Sequence, residues 1–333
     1  MIMGTTDRET VGIVGAGRMG RGIALSYIFA GVPAVLVDLK PRSEQGREAL
    51  VASAREEMAA DLAFMAEAGL VDPDDIEATL ALATFSHEGT AENPLAACHI
   101  VYEGVPEVIE AKEEAFRYIS AHAGTEAIIA STTSTFLVTE LARLVTGPQR
   151  FVNAHWLNPA HLMPLVEISR GDDSSQATID RLVASLESIG KMPVVCSASP
   201  GYIVPRIQAL AMNEAARLVE EGVATAEDVD KAINVGFGLR FAVLGLLEFI
   251  DWGGGDILYY ASRYLSESIG PRYEAPEIIS SNMQSGRNGL RDGVGFFDYR
   301  DRDTTAYRRE RMRDFVALLR HKNLLPRHNQ SAN

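Results

Sequence analysis

The sequence predicts a doubly wound α/β domain with a mostly parallel sheet, followed by an all-α domain. Short β-branched runs alternate with longer helical patterns up to about residue 199, and helical patterns alone follow. Strands that alternate with helices form parallel sheets that are covered on both faces. A length of 333 residues fits about two domains. We predict domains at residues 1–199 and 200–322 and a polar tail at 323–333.

The first domain opens with a buried strand at residues 11–14, a helix at 18–30 and a strand at 34–38. Residues 43–69 have the composition of a long helix, and residues 72–75 begin a short one. Further strands are expected at residues 82–85, 99–102, 127–130, 151–154, 165–168 and 193–195.

The second domain begins where the strand signals stop, at Ser199-Pro200-Gly201. No convincing strand follows, which predicts an all-helical half. Helical spacing or composition marks four segments, at residues 203–219, 226–235, 241–249 and 257–265.

Composition excludes several classes of protein. The 31 Lys+Arg against 45 Asp+Glu give a net charge of −14, which argues against a nucleic acid or an anionic membrane as partner. No stretch approaches the ~20 apolar residues of a membrane span, and the polar N-terminus lacks the apolar core of a signal peptide. Cys98 and Cys196 are too few for a disulfide scaffold or a cysteine-based zinc site. We therefore assign no metal and expect a reducing cytoplasm.

A glycine-rich motif, G-x-G-x-x-G, leaves the first strand and opens the first helix. At this position the amides of the helix N-terminus face a pyrophosphate. A strand, this turn and an acidic residue after the next strand together predict a dinucleotide site of the Rossmann type. The predicted cofactor-binding residues here are Gly15, Ala16, Gly17, Arg18, Met19 and Gly20. The alternative is a glycine-rich turn without a ligand.

Asp38 ends the second strand, 18 residues after Gly20. Its carboxylate would accept hydrogen bonds from the adenosine ribose and would repel a 2′-phosphate, which favours NAD over NADP. Lys40 and Arg42 follow closely and leave NADP open.

A histidine and a glutamate mark the candidate reaction site. His155 ends an apolar run, and Glu167 lies twelve residues later in a second strand-like run. Two strands joined by a tight Asn158-Pro159 connection would bring these side chains together. A carboxylate beside an imidazole fixes its tautomer and raises its basicity, which suits a general base. The spacing alone fits a buried core histidine equally well.

Hydroxyl side chains follow another strand at Ser131-Thr-Thr-Ser134-Thr135, at the edge where doubly wound sheets bind ligands. They could bind a substrate oxygen. They could instead cap a helix that begins near Phe136.

Taken in order, these motifs resemble the L-3-hydroxyacyl-CoA dehydrogenase family, from Val11 to about Tyr299. The resemblance is carried by the glycine motif and Asp38, Ser131-Thr-Thr-Ser134, His155-x-x-Asn158-Pro with Glu167, Pro200-Gly-Tyr-Ile-Val204 and Gly293-Val-Gly-Phe-Phe-Asp-Tyr299. It implies an NAD-dependent oxidoreductase that oxidises a 3-hydroxyl to the 3-keto group. It also implies a homodimer assembled through the helical domain.

The resemblance implies a role for each matching residue. His155 is the expected base, Glu167 orients it, and Ser134 hydrogen-bonds the reacting oxygen, with Asn158 in the same catalytic set. Glu107 and Lys112 match a family pair near the nicotinamide. Without the resemblance, these last two residues would be assigned to a solvated helix face.

Three departures from the family pattern concern the substrate. The family usually has Pro-Gly-Phe-Ile-Val-Asn-Arg at the domain junction, and its Asn contacts the substrate, whereas this chain has Pro205, which has no side-chain donor. Gln208 or Arg206 is the expected replacement. Pro164 stands where CoA-using members commonly have a lysine.

The third departure, Gly238-Leu-Arg240-Phe241, resembles the lambda-crystallin, L-gulonate and carnitine dehydrogenase branch. Arg240 suits bidentate recognition of a carboxylate, or it forms an ion pair with Asp251 or Asp256. The segment at 43–69, which helps to hold CoA in the family, offers two arginines, Arg47 and Arg55, and no lysine. These observations favour a polar β-hydroxy carboxylate over an acyl-CoA, without excluding the acyl-CoA.

Two other functions compete with this one. The first is a non-catalytic, crystallin-like NAD-binding protein, against which the intact His155, Glu167 and Ser134 argue. The second is a 6-phosphogluconate-type dehydrogenase with a catalytic lysine in its helical half. Lys231 is the only lysine between Pro200 and Arg320, and its acidic surroundings are typical of a surface residue.

Overall fold

The structure is a computed structural model that describes residues 10–326. The polar N-terminus discussed above and most of the tail predicted at 323–333 lie outside the described residues. The chain divides into two compact units, at 1–211 and 212–333. This division falls inside a helix and lies beyond the boundary predicted near residue 199.

Eight strands form one sheet. They are β1 (Thr10–Val14), β2 (Ala34–Asp38), β3 (Ala83–His87), β4 (Cys98–Glu103), β5 (Ile128–Ser131), β6 (Phe151–Trp156), β7 (Leu165–Arg170) and β8 (Met192–Ser197). The strand order is β3-β2-β1-β4-β5-β6-β7-β8. All neighbouring pairs are parallel except β6 and β7, which are antiparallel. The mostly parallel sheet predicted from the sequence is confirmed.

The helices of the first unit are α1 (Arg18–Phe29), α2 (Glu44–Glu67), α3 (Ile76–Leu80), α4 (Ile109–His122), α5 (Val138–Leu141), α6 (Gln176–Ser188) and the start of α7 (Val204–Glu220). Ser43 begins α2 by accepting a hydrogen bond from the amide of Gly46. One apolar core joins the sheet to α1, α2 and α6, and a second joins its other face to α4 and α5. Helices therefore cover both faces, as a parallel sheet requires.

The parallel strands place their carboxyl ends at one edge of the sheet. Gly15 follows β1, Glu103 ends β4, Ser131 ends β5 and His155 lies near the end of β6. Candidate binding and reaction residues from four strands thus converge on this edge, where open α/β sheets bind their ligands.

The second unit contains the rest of α7 and then α8 (Ala226–Ala232), α9 (Gly238–Phe241), α10 (Leu246–Gly253), α11 (Gly255–Ser268), α12 (Glu277–Gln284) and α13 (Thr304–His321). Its described residues form no strand beyond two isolated bridges. Asp251 is buried and accepts hydrogen bonds from the amides of Phe296 and Phe297, both at 2.9 Å. This carboxylate fixes the loop that carries the C-terminal motif.

Two of the predicted helices differ in the structure. The helix expected at 241–249 is wrong, because α9 ends at Phe241 and α10 starts at Leu246. Gly245 is extended there, and its amide donates to the Glu248 side chain at 3.2 Å, which begins a new helix. The helix expected at 226–235 ends at Ala232 and passes into a π-helical turn at Ile233–Phe237.

Within the described residues, no single helix is both long and apolar enough to cross a membrane. One strongly bent pair of helical segments, Ala226–Phe241 and Leu246–Gly253, is long and apolar enough when taken together, by length and composition only.

Candidate active site

The glycine turn between β1 and α1 is built for close approach of a ligand to the backbone. Gly15 has a φ of +114°, and a Cβ there would lie 2.5 Å from the carbonyl oxygen of Gly104. At Gly20 a Cβ would lie 2.0 Å from the oxygen of Gly15. A Cβ added at Gly17 would have no neighbour within 4 Å. Gly17 is the N-cap residue of α1 and has no side chain to bond the helix amides. The turn is therefore tight on its inner side and open where helix amides point outward.

A cavity of about 370 Å³ adjoins this turn. It is lined by residues 15–19, Asp38, Arg42, Leu50 and residues 104–106. Its lining fits the phosphate-bearing part of a dinucleotide, with the pyrophosphate against the open glycine and the helix N-terminus. The residues present therefore match the cofactor that the motif predicts.

Asp38 is buried at the end of β2, and its carboxylate is engaged. Oδ2 lies 2.5 Å from Nε of Arg42, and Oδ1 lies 3.4 Å from the amide of Lys40. Arg42 thus neutralises the carboxylate that the sequence analysis predicts to bind the ribose, a pairing that the sequence analysis did not foresee.

Two carboxylates hold one buried ammonium beside the end of β4. Nζ of Lys112 lies 3.1 and 3.0 Å from the two oxygens of Glu103 and 3.0 Å from Oε2 of Glu107. Lys112 is 1% exposed and Glu103 is fully buried. The solvated helix face considered for both residues is therefore wrong for Lys112, whereas Glu107 is exposed but precedes α4 and pairs with Lys112.

Glu103 is the residue of this cluster that the sequence analysis missed. Its Oε2 also accepts from the Ser131 hydroxyl at 2.5 Å, and its Oε1 accepts from the amide of Val105 at 2.9 Å. An acidic residue that ends an otherwise apolar strand was the available signal, because such a charge is buried only when it is paired.

Glu107 organises the loop after β5. Its Oε1 accepts from the Thr133 hydroxyl and from the amides of Ser134 and Thr135, both at 3.0 Å. Burial raises the pKa of Glu107. The Thr133 hydrogen bond and the Lys112 charge lower the pKa by more than burial raises it, so the pKa lies below its usual value. A stable carboxylate therefore fixes this loop.

The hydroxyls of the loop have different roles. Ser131 donates to Glu103, and Thr133 accepts from the amide of Phe136 at 3.0 Å. The helix expected near Phe136 begins at Val138. Ser134 is exposed, and its hydroxyl lies 3.5 Å from that of Thr135. Ser134 thus remains available to a substrate oxygen, while Thr133 closes the turn before Phe136 and does not cap α5, whose N-cap is Leu137.

His155 and Glu167 face each other directly across the antiparallel pair β6–β7. Nδ1 of His155 lies 2.9 Å from Oε2 of Glu167, and both residues are buried. Oε1 of Glu167 accepts from the amides of Ile203 and Val204, both at 2.9 Å. With Nδ1 committed to the carboxylate, Nε2 has no hydrogen-bond partner within residues 10–326 and can take up a proton.

The residues expected to replace the substrate-contacting Asn lie in the first turns of α7. Pro205 is the second residue of this helix, where a missing amide costs no hydrogen bond. Arg206 and Gln208 are exposed, and the Arg206 guanidinium lies 3.5 Å from the Ser199 hydroxyl. Asn158, in the β6–β7 connection, is also exposed.

Arg240 belongs to the second unit. It is exposed and lies over the Phe249 ring at 5.6 Å. The ion pairs considered for it do not form, because Asp251 accepts backbone amides and Asp256 pairs with Arg291 at 3.0 Å. Lys231 is exposed, as expected.

Comparison with known proteins now decides the family. The sequence model of the 3-hydroxyacyl-CoA dehydrogenase NAD binding domain matches residues 10–199, and that of the C-terminal domain matches residues 201–299. The chain belongs to the 3-hydroxyacyl-CoA dehydrogenase family. It is an NAD-dependent oxidoreductase with a Rossmann-type domain followed by a helical domain. This confirms the family, fold and cofactor predicted from the motifs, and it favours a catalytic protein over a crystallin-like one.

Several relatives of this dehydrogenase cover nearly its whole length. It is 29% identical to 5-formyl-3-hydroxy-2-methylpyridine 4-carboxylate 5-dehydrogenase of Mesorhizobium japonicum, over 94% of this chain and 97% of that one. It is 31% identical to 3-hydroxybutyryl-CoA dehydrogenase of Mycobacterium tuberculosis, over 87% and 98%. The solved 3-hydroxyacyl-CoA dehydrogenase of Archaeoglobus fulgidus is 33% identical, with a TM-score of 0.76, over 95% and 100%.

Proposed function

We propose that this dehydrogenase oxidises the β-hydroxyl of a short, polar carboxylate to the ketone, with His155 as the general base. The observation that supports this most directly is the 2.9 Å contact between Nδ1 of His155 and Glu167, which leaves Nε2 as the proton acceptor. Bound NAD would accept the hydride from the substrate carbon. Ser134 would hydrogen-bond the reacting oxygen, and Glu167 would stabilise the imidazolium. Asn158 completes the proposed catalytic set.

Cofactor binding is assigned to the glycine turn and the residues around it. The pyrophosphate would lie against residues 15–20, and the adenosine ribose would hydrogen-bond Asp38. Glu107 and Lys112 would lie near the nicotinamide, where the loop that carries Ser134 is held by Glu107.

The arginines of α2 favour a free carboxylate over CoA. Nη1 of Arg47 lies 3.2 Å from Nε2 of His87, and Nη2 of Arg55 donates to the carbonyl of Ala83 at 3.3 Å. Both side chains are thus occupied at the β3 edge. The Mesorhizobium relative, whose named substrate is a pyridine carboxylate, also aligns over more of this chain than the M. tuberculosis enzyme does.

A hydroxyacyl-CoA substrate is the second candidate, because the M. tuberculosis and A. fulgidus relatives are named 3-hydroxybutyryl-CoA dehydrogenase and 3-hydroxyacyl-CoA dehydrogenase. Arg240 is proposed to bind the substrate carboxylate, and Gln208 or Arg206 is proposed to replace the family Asn that Pro205 lacks. Arg240→Ala should raise KM for a free acid and leave KM for the matching CoA ester unchanged. Arg263→Ala, at an exposed i,i+4 pair with Glu267, is the matched control.

A panel of paired substrates tests the whole proposal. NADH absorbance is followed with the pair 3-hydroxybutyrate and 3-hydroxybutyryl-CoA, using wild type and His155→Ala. We expect turnover of a free acid that His155→Ala lowers by about 10²–10⁴-fold, with NADH affinity retained. Turnover of the CoA ester alone would support the second candidate. Inertness of the wild type across the panel would contradict both.

We propose domains at residues 1–199 for NAD binding and 200–322 for substrate binding and dimerisation. Exposed apolar side chains on α7 and α11 support a homodimer through the helical domain, among them Leu210, Met212, Ile257, Tyr260 and Tyr264. Sedimentation of wild type against Tyr264→Asp would test this, since the proposal expects the variant to become monomeric.

Free thiols at Cys98 and Cys196 support the proposed cytoplasmic location.

A further inference from the structure

The aromatic ring of Tyr202 lies flat against the imidazole of His155. The ring centroids are 4.9 Å apart and the planes differ by 12°. Tyr202 is 5% exposed. Glu167 contacts the edge of the imidazole, and Tyr202 covers one face, so the two residues restrict different motions of the same ring.

The hydroxyl of Tyr202 fixes the ring at its far end. It donates to the carbonyl of Thr133 at 2.7 Å and accepts from Nδ2 of Asn153 at 3.1 Å. Asn153 precedes His155 by two residues on β6 and therefore shares its face of the sheet. Thr133 in turn donates to Glu107, which binds the Ser134 amide. The hydroxyl thus connects the imidazole to the loop that carries Ser134.

The backbone at Tyr202 adopts an unusual conformation that supports the stacked ring. Tyr202 has a φ of 49°, in the left-handed region that a tyrosine rarely adopts. This conformation costs of order 1 kcal/mol or more and persists only where contacts enforce it. The next two amides, of Ile203 and Val204, bind Glu167. One short segment therefore supplies both the ring on the imidazole and the donors on its carboxylate partner.

We infer that Tyr202 is a positioning residue for His155: its ring holds the imidazole in the orientation for proton transfer, and its hydroxyl couples that orientation to the Ser134 loop. This inference rests on the proposed role of His155 as the base. A phenylalanine would keep the stacked ring and lose both hydroxyl bonds, whereas a leucine would lose the ring as well. The two substitutions therefore separate the contacts.

Kinetics with Tyr202→Phe and Tyr202→Leu test the inference. Tyr202→Leu is expected to lower kcat by about tenfold or more, because small misplacements of a reacting group are costly, while NADH affinity changes by less than about twofold. Tyr202→Phe is expected to lose no more than about threefold. Tyr118→Phe is the matched control, because Tyr118 also stacks on a histidine, His122, with centroids 4.1 Å apart. Equal losses in Tyr202→Phe and Tyr202→Leu would overturn the role of the ring.

A double-mutant cycle distinguishes positioning from general damage to the fold. If Tyr202 acts through His155, then Tyr202→Leu should change the residual turnover of His155→Ala by less than about twofold. A loss as large as in the wild-type background would overturn the inference.

A readout without turnover separates this inference from the proposed function. In the proton NMR spectrum, the ring current of Tyr202 should shift the His155 ring signals upfield in wild type and Tyr202→Phe, and the shift should vanish in Tyr202→Leu. Unshifted His155 signals in an active wild type would overturn the inference alone. Shifted signals in a wild type inert on every substrate would instead contradict the proposed function.

Discussion

Glu167 binds His155 with one carboxylate oxygen and two backbone amides at the start of α7 with the other. The two amides, of Ile203 and Val204, can only donate, so they demand an acceptor at Oε1. When Glu167 is a carboxylate, both its oxygens accept, so Nδ1 of His155 carries the proton towards Oε2 and Nε2 is left free. The two amides thereby fix which oxygen of Glu167 faces His155, the proposed base.

Glu167→Gln is expected to lower kcat by about 10²–10⁴-fold with little change in NADH affinity. The glutamine oxygen must serve the two backbone amides, so its NH₂ group faces His155 and stabilises the tautomer with the proton on Nε2. Steady-state kinetics and NADH fluorescence titration measure the two effects. Glu187→Gln, an exposed residue of α6, is the control, and an unchanged kcat in Glu167→Gln would rule out this tautomer control.

Lys112→Met should lower the free energy of unfolding by about 3–5 kcal/mol, because it leaves the buried carboxylate of Glu103 without its partner. Urea unfolding measures this loss. Lys231→Met, at an exposed position of α8, should stay within about 0.5 kcal/mol of wild type. The double variant with Glu103→Gln should recover part of the loss, and a single variant as stable as wild type would contradict the charge balance described here.

Asp38→Ala is expected to weaken NAD and to improve NADP binding. The substitution removes the ribose acceptor and also releases the Arg42 guanidinium, 2.5 Å from Asp38, for a 2′-phosphate. Dissociation constants for both reduced cofactors measure the change. Adding Arg42→Ala should abolish the gain for NADP, and equal weakening of both cofactors in Asp38→Ala would argue against the ribose assignment.

The lowered pKa of Lys191 is expected to make the free energy of unfolding depend on pH. Its Nζ donates to the carbonyls of Ala160 and Met163 at 2.7 and 3.0 Å, and burial lowers its pKa to about 8. Between pH 8 and its ordinary value of 10.5, the unfolded chain binds more protons than the folded one. Stability relative to Lys191→Met should therefore rise with pH through this window.

Urea unfolding of wild type and Lys191→Met from pH 7 to about 10 measures that difference. Arg181→Met, an exposed basic residue of α6, is the control and should show the wild-type slope. A difference between wild type and Lys191→Met that stays constant across the window would mean that Lys191 keeps its ordinary affinity for protons.

Local patterns predicted the elements of the sheet and the glycine turn well, because each depends on residues close in sequence. The pairing of His155 with Glu167 followed from two strands and a short connection. Glu103, Tyr202 and Lys191 were not foreseen, since their roles depend on partners 28 to 69 residues away, such as Ser131 and Thr133. The break at Gly245 was missed because apolar spacing continues across it.

The pairing of β6 with β7 sets the contact between His155 and Glu167 independently of the length of their connection. His155 and Glu167 stay opposite each other as long as the two strands keep their register, whatever the length of the intervening segment at 157–164. A slip of one residue would instead turn Glu167 to the other side of the sheet. Insertions there that spare Asn158 and the carbonyls bound by Lys191 would therefore leave the His155–Glu167 pair intact.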